Sequence, residues 1–248
     1  MERSGRRPLA AALVDYSLNY GRAQVAELLA SVAPFAVVVD VGAGPGEDLR
    51  AAHAVCPDAE LWGADLAPVS QLFIRGLTLD LERDRLPFGD ACVDVVIANQ
   101  VIEHTKEVFW IFHEMTRVLR PGGHLIVGAP NLASLHNRIL LLAGRQPTSI
   151  RTASAHVRGT TVPDLADFID ACFPEGLRIC AVRGANFYPL PPGLARPAAR
   201  AFPSLAWGII VLLRKERRYT SEFLDFPARE ALETPFWTGP STTLDEGA

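Results

Sequence analysis

At 248 residues the chain has the length of one domain or slightly more, and its 49% hydrophobic content allows a sizeable core. A formal charge of -4 gives no overall basic footprint for nucleic acid. Cys56, Cys92, Cys172 and Cys180 show neither C-x-x-C pairing nor zinc-ligand or disulfide-framework spacing, so no metal is expected and a reducing, cytoplasmic setting fits. Arg6-Arg7 precede a short apolar run that Asp15 ends with no small-residue cleavage site after it, which speaks against an export signal. No apolar run approaches the about 20 residues needed to span a bilayer.

Taken in order, Leu9, Leu13, Leu18, Val25, Leu28 and Leu29 mark one or two amphipathic helices before the first strand. Val37-Val38-Val39-Asp40-Val41 is apolar without alternation, as in a strand of a parallel sheet buried on both faces. Gly42, Gly44 and Gly46 follow, allowing a tight turn and close approach of a ligand, and Glu47 to Val55 reads as a helix whose N-terminus faces that ligand. The spacing is G-x-G-x-G, with Glu47 where a dinucleotide fingerprint needs its third glycine. Ala59 to Asp65 reads as a second strand. Asp65 lies 19 residues beyond Gly46, near the spacing at which an acid accepts ribose hydroxyls, the alternative being an exposed loop aspartate.

Gly76 to Asp80 reads as a third strand, and residues 66–75 leave room only for a short or distorted helix before it. Leu86-Pro87-Phe88-Gly89-Asp90 is a turn and Val93 to Ala98 a buried strand running into Asn99-Gln100-Val101-Ile102-Glu103-His104. Glu107 to Leu119 has helical periodicity, Arg120-Pro121-Gly122-Gly123 reads as its end and a turn, and Leu125 to Asn131 as a fifth strand. Leu132 to Gly144 is a helix with a strongly apolar face, residues 149–161 are loop-like, and Pro163 to Phe173 is helical. Leu177 to Asn186 and Ala206 to Leu213 supply two more strands. The five prolines of residues 189–203 suggest an irregular connection, and the last 35 residues show no clear periodicity; Phe223, Phe226, Phe236 and Trp237 are their expected anchors.

The acid before G-x-G-x-G resembles motif I of class I S-adenosylmethionine-dependent methyltransferases. The run Leu-Pro-Phe, strand, Asn-Gln-x-x-Glu-His, helix, Arg-Val-Leu-Arg-Pro-Gly-Gly, strand, Pro-Asn is similar to the type-11 methyltransferase group. The resemblance implies an α/β fold with a doubly wound, seven-stranded, mostly parallel Rossmann-like sheet and an antiparallel last strand. It implies a helical cap over residues 1–34, the S-adenosylmethionine-dependent domain over residues 35–214 and a tail over residues 215–248 packed on it. Cofactor contacts carried over are Asp40, Gly42, Ala43, Gly44 and Gly46 at the methionine end, Asp65 and Leu66 at the ribose, Asp80 and Leu81 at the adenine, with Asn99 and Gln100. Tyr20, with Tyr16 and Arg22, is a candidate to close over the cofactor.

Methyl transfer from a sulfonium mainly requires positioning, and a base is useful where the nucleophile is a hydroxyl. His104, after the fourth strand, is the first candidate for that role, with capping or packing as its alternative. His136 and His156 are further candidates. Arg138, Arg145, Arg151 and Arg158 suit a carboxylate or phosphate as well as a solvated loop. The expected acceptor is a small molecule or sugar-containing intermediate methylated on oxygen; N- or C-methylation of a secondary metabolite or quinone precursor is the alternative, and a non-catalytic S-adenosylmethionine-binding module is the rival of another class. Ile139 to Leu142 between Arg138 and Arg145, with Leu194, Phe202, Arg196 and Arg200, suggests peripheral membrane contact unless that stretch packs on the sheet. Nothing in the sequence specifies an oligomeric state.

Overall fold

Strand β1 (Val37–Val41) is buried at four of its five positions and lies inside a seven-stranded sheet of order β3-β2-β1-β4-β5-β7-β6. The computed structural model describes residues 21–69, 71–233 and 235–239; Tyr16 and Tyr20 lie outside the described residues. Strands β2 (Glu60–Asp65) and β3 (Arg75–Thr78) continue the sheet on one side of β1, and β4 (Val93–Asn99) and β5 (Leu119–Pro130) on the other, all parallel. The last strand, β7 (Gly208–Lys215), inserts antiparallel between β5 and β6 (Leu177–Ala185).

Alternation along the strands divides the core. Val38, Leu61, Val95 and Ile97 pack with α1 (Arg22–Val32) and α2 (Glu47–Val55), whereas Val39, Val41, Val96 and Ala98 pack with α3 (Val108–Val118), α5 (Val162–Cys172) and α7 (Glu222–Arg229). The parallel strands therefore end at one edge, from which α4 (Leu135–Leu142) and α6 (Pro192–Ala201) also leave.

Helix α3 is buried at every position, so its charged groups must find partners inside. Arg117 forms a two-pronged pair with Glu114, at 2.7 Å for both contacts, and donates to the carbonyls of Leu86 and Phe88, which fixes the expected turn before β4. Lys215 reaches from β7 to the carbonyls of Thr116 and Leu119, at 2.7 and 2.6 Å, and supplies a cation at the helix C-terminus. Tyr219 accepts the Phe223 N–H, and its hydroxyl shares a hydrogen bond with His113 Nδ1 at 2.9 Å.

Four stretches depart from the sequence reading. The described residues of 66–75 carry turns and bends and no helix. Arg120 to Gly123 extend β5 instead of ending α3: Gly122 has φ +80° and a Cβ on Gly123 would meet the Asp94 carbonyl at 2.8 Å, so this segment passes close against β4 where the register shifts. Residues 189–203 contain α6 despite their prolines; Ala195 and Ala199 bury against Phe187 and Ala206, and alanine favours the helix that Pro197 interrupts. In the C-terminal region α7 buries Phe223, while Phe226 and Phe236 pack against Phe109 and Trp237 against Trp110.

Burial pushes His113 down from its ordinary range to about 4. Its folded state prefers the neutral ring, so the unfolded chain takes up a proton first as pH falls. The contribution of His113 to stability is complete above pH about 6.5 and declines between there and about 4, by up to about 3 kcal/mol. Denaturant unfolding at pH 7 and pH 5 should show a loss of stability that is smaller in His113→Gln; an equal loss in both would remove this assignment.

Candidate active site

The chain leaves β1 through a loop held on β2: the Gly42 and Ala43 N–H groups donate to the Ala64 carbonyl at 2.7 and 3.2 Å. Gly42 and Gly46 have φ of +73° and +78°, and a Cβ there would meet Val101 at 2.4 Å and Ile74 at 2.6 Å respectively. These two glycines are therefore demanded by conformation and packing. Gly44, at φ +50°, has nothing within 4 Å of its virtual Cβ, so it is the position of the loop open to a ligand.

Around this loop stand three aspartates. Asp40 is 2% exposed, and burial, then Asp48 and Asp65, push its carboxyl well above the usual range against the opposing pull of Arg22. Asp48, in the first turn of α2, is likewise raised by burial; it accepts a hydrogen bond from Asn99 Nδ2 at 2.8 Å. Gly128 makes that contact feasible, because a Cβ there would lie 2.1 Å from Asn99 Oδ1. Asp48 Oδ1 and Asn99 Oδ1 are buried without a partner among the described residues. Asp65, at the end of β2, accepts the Gly44 N–H at 2.8 Å and the Ala67 N–H at 3.2 Å. Leu66 beside it is exposed, whereas Leu81 packs on the core. Asp80 shapes its own turn, accepting from the Glu82 N–H at 2.9 Å.

The exit of β4 supplies the second half of the site. Gln100 takes φ +61° and donates its N–H to the Gly128 carbonyl, and with Pro130, Ala185, Trp207 and Gly208 it lines a cleft of about 30 Å³ at the strand ends. Glu103 is 1% exposed, no other residue among those described pairs with either carboxylate oxygen, and burial pushes its carboxyl up to about 7. The His104 ring packs edge-on against His156, with centroids 4.6 Å apart, and burial followed by the charge of His156 holds its ring below the usual histidine range. Sequence spacing offered no metal-ligand set, yet the fold brings Glu103, His104 and His156 together.

The other candidates separate. His136 packs against Tyr188 and Trp207. Arg158 donates to the Thr105 and Lys106 carbonyls and Arg138 to the Ala133 carbonyl. Arg145 and Arg151 are exposed. The Ile139 to Leu142 stretch does not pack on the sheet: Ile139, Leu141 and Leu142 are 56%, 56% and 89% exposed, because α4 turns its Asn137 side inward to the carbonyl of Asn131 and to Ser149.

An open, mostly parallel sheet whose first two strands carry acids at their ends around a glycine loop is the arrangement of nucleotide-binding folds of the Rossmann-like class. Residues 39–127 match a family described as a methyltransferase domain. Among curated relatives, an arsenite methyltransferase of Halobacterium salinarum is 35% identical over 40% of this chain and 28% of its own length, and a trans-aconitate 2-methyltransferase of Methylobacterium nodulans is 31% identical over 58% of each. The chain thus spans less than two thirds of the length of these relatives. The fold resembles that of the 1,6-didemethyltoxoflavin-N1-methyltransferase of Burkholderia thailandensis, with a TM-score of 0.54 at 16% identity over 88% of this chain and 94% of that one.

The residues fit the group this family binds. A ligand bearing a sulfonium and an ammonium would lower the cost of the buried Asp40, and its donors match the unpartnered oxygens of Asp48 and Asn99. Asp48 and Glu103 were not singled out in the sequence. The legible signal for Asp48 was an acid two residues beyond the glycine loop; burial, which marks Glu103, is invisible before folding. Asp40→Asn should leave the thermal midpoint of the free protein unchanged or higher, while weakening S-adenosylmethionine binding about ten- to a hundredfold by calorimetry. Unchanged affinity would remove Asp40 from the site.

Proposed function

We propose that this protein is an S-adenosylmethionine-dependent methyltransferase that methylates a hydroxyl of an apolar small molecule. The observation that carries this reading is the convergence, at one sheet edge, of the glycine loop with Asp40, Asp48 and Asp65 on one side and the Glu103-His104 turn on the other. Asp40, Asp48 and Asn99 would hold the methionine end, Asp65 the ribose, and Asp80 with Leu66 and Leu81 the adenine. When bound, the cofactor supplies an electrophilic methyl group on sulfur. The chain's own task is to orient the acceptor and take its proton, and His104 is the group proposed to contact that hydroxyl.

A cavity of about 410 Å³ is lined by Ile102, the residue before Glu103, with Phe109, Phe112, Phe168, Arg158 and Asp164, and its size and mainly apolar lining support a hydrophobic acceptor. S-adenosylhomocysteine release measured over a panel of apolar hydroxy compounds should reveal turnover. His104→Ala should lower that turnover by about 10²-fold or more with cofactor affinity retained. Equal turnover in variant and parent would return His104 to a packing role, and turnover only with amine or carbon acceptors would replace O-methylation by its alternatives.

We also propose that α4 and α6 rest on an anionic lipid surface. Residues 115–163 and 176–215 contain no aspartate or glutamate, and the exposed Leu142, Leu194 and Phe202 lie among the exposed Arg138, Arg145 and Arg196. Apolar groups with flanking cations suit the headgroup boundary. No helix among the described residues is long and apolar enough to cross a membrane. Sedimentation with anionic vesicles should carry down the parent at low salt and less of Leu142→Glu/Phe202→Glu; no association of the parent would overturn this contact.

A further inference from the structure

We propose that Glu103, His104 and His156 form a three-ligand site for one divalent transition-metal ion of the zinc class. One donor atom from each of the three lies within 4.8 Å of the others. The Glu103 carboxylate is the second observation: it is 1% exposed, and beyond its own backbone N–H no donor or cation among the described residues reaches either oxygen. A carboxylate taken out of water without a partner is costly, and a metal ion is one of the few groups that removes that cost.

The two imidazoles are set as ligands. His104 Nδ1 lies 3.3 Å from the Ala155 carbonyl and His156 Nδ1 2.7 Å from the Ser149 carbonyl. A carbonyl accepts only, so Nδ1 carries the proton in each ring and Nε2 keeps its lone pair, the tautomer that an outer carbonyl selects in metal-binding histidines. The segments are also held in register: the Val157 N–H donates to the Glu103 carbonyl at 2.8 Å, and Arg158 donates to the Thr105 carbonyl at 2.9 Å. Two imidazoles and a carboxylate suit zinc, cobalt or iron(II) and not the all-oxygen shells of magnesium or calcium. Three protein ligands leave a further position, and His104 is exposed, so that position opens toward solvent. An acceptor oxygen bound there would be acidified by the ion, and with the ion bound His104 would act as its ligand and would not itself take the proton. That role rests on the methyl-transfer reading, but ion binding does not.

Tag-free, chelator-treated full-length protein is to be titrated with cobalt(II) alone, followed by calorimetry and visible absorption. One ion per chain is expected, with d–d bands and no thiolate charge-transfer band, which separates this site from the free cysteines. Glu103→Gln and His156→Ala should each lower the affinity by more than about tenfold while keeping the parent's circular dichroism spectrum. If His156→Ala fails to fold, Glu103→Gln decides, since it removes only a buried charge. Absence of stoichiometric uptake by the parent, or parent-like affinity in the folded variants, would overturn the site. Titration with S-adenosylmethionine in the absence of metal tests the methyl-transfer reading separately, so either can fail without the other.

Discussion

The structure depends on carboxylates gathered at the ends of β1 and β2. A buried Asp40, opposed by Asp48 and Asp65, is an unfavourable arrangement for a free protein, and the surrounding chain is arranged to tolerate it. Arg22 supplies an opposing charge, Asn99 crosses over Gly128 to hold Asp48, and Asp65 is tied to the backbone of Gly44 and Ala67. Strain of this kind is stable only where neighbouring packing enforces it, which here means Val101 against Gly42 and Ile74 against Gly46. In the proposed reading a cationic nucleoside would relieve the repulsion, so the feature that weakens the free fold would also give it selectivity.

The formal charge of -4 conceals a division across the molecule. Acids surround the glycine loop, whereas the segments that build β5, α4, β6 and α6 carry arginines and no acids. This separation fits a protein whose donor side meets a cation and whose opposite side meets anions or lipid. Both sides issue from the same strand ends, so the two surfaces lie around one site.

Much of this was legible in the residues. Valines at four of five positions without polar alternation marked β1, the G-x-G-x-G spacing marked the loop, and an acid near the expected interval marked Asp65, because buried parallel strands and backbone turns leave local signatures. The pairing of His104 with His156 was not legible, since it depends on Val157 docking on Glu103 across a long loop. Arg120 to Gly123 misled for a related reason: proline and glycine promise a turn locally, but here they serve a close approach to β4. The leucines of α4 promised burial by periodicity, yet the sheet is already covered by other helices and the buried anchor is the polar Asn137.

The central claim is that the acid cluster and glycine loop form a site for a cationic nucleoside and not for a dinucleotide. Calorimetric titration of the parent protein with S-adenosylmethionine and, separately, with NAD tests it most directly. One S-adenosylmethionine per chain and no heat from NAD is the predicted result. Binding of NAD, or of neither compound to the folded protein, would contradict it.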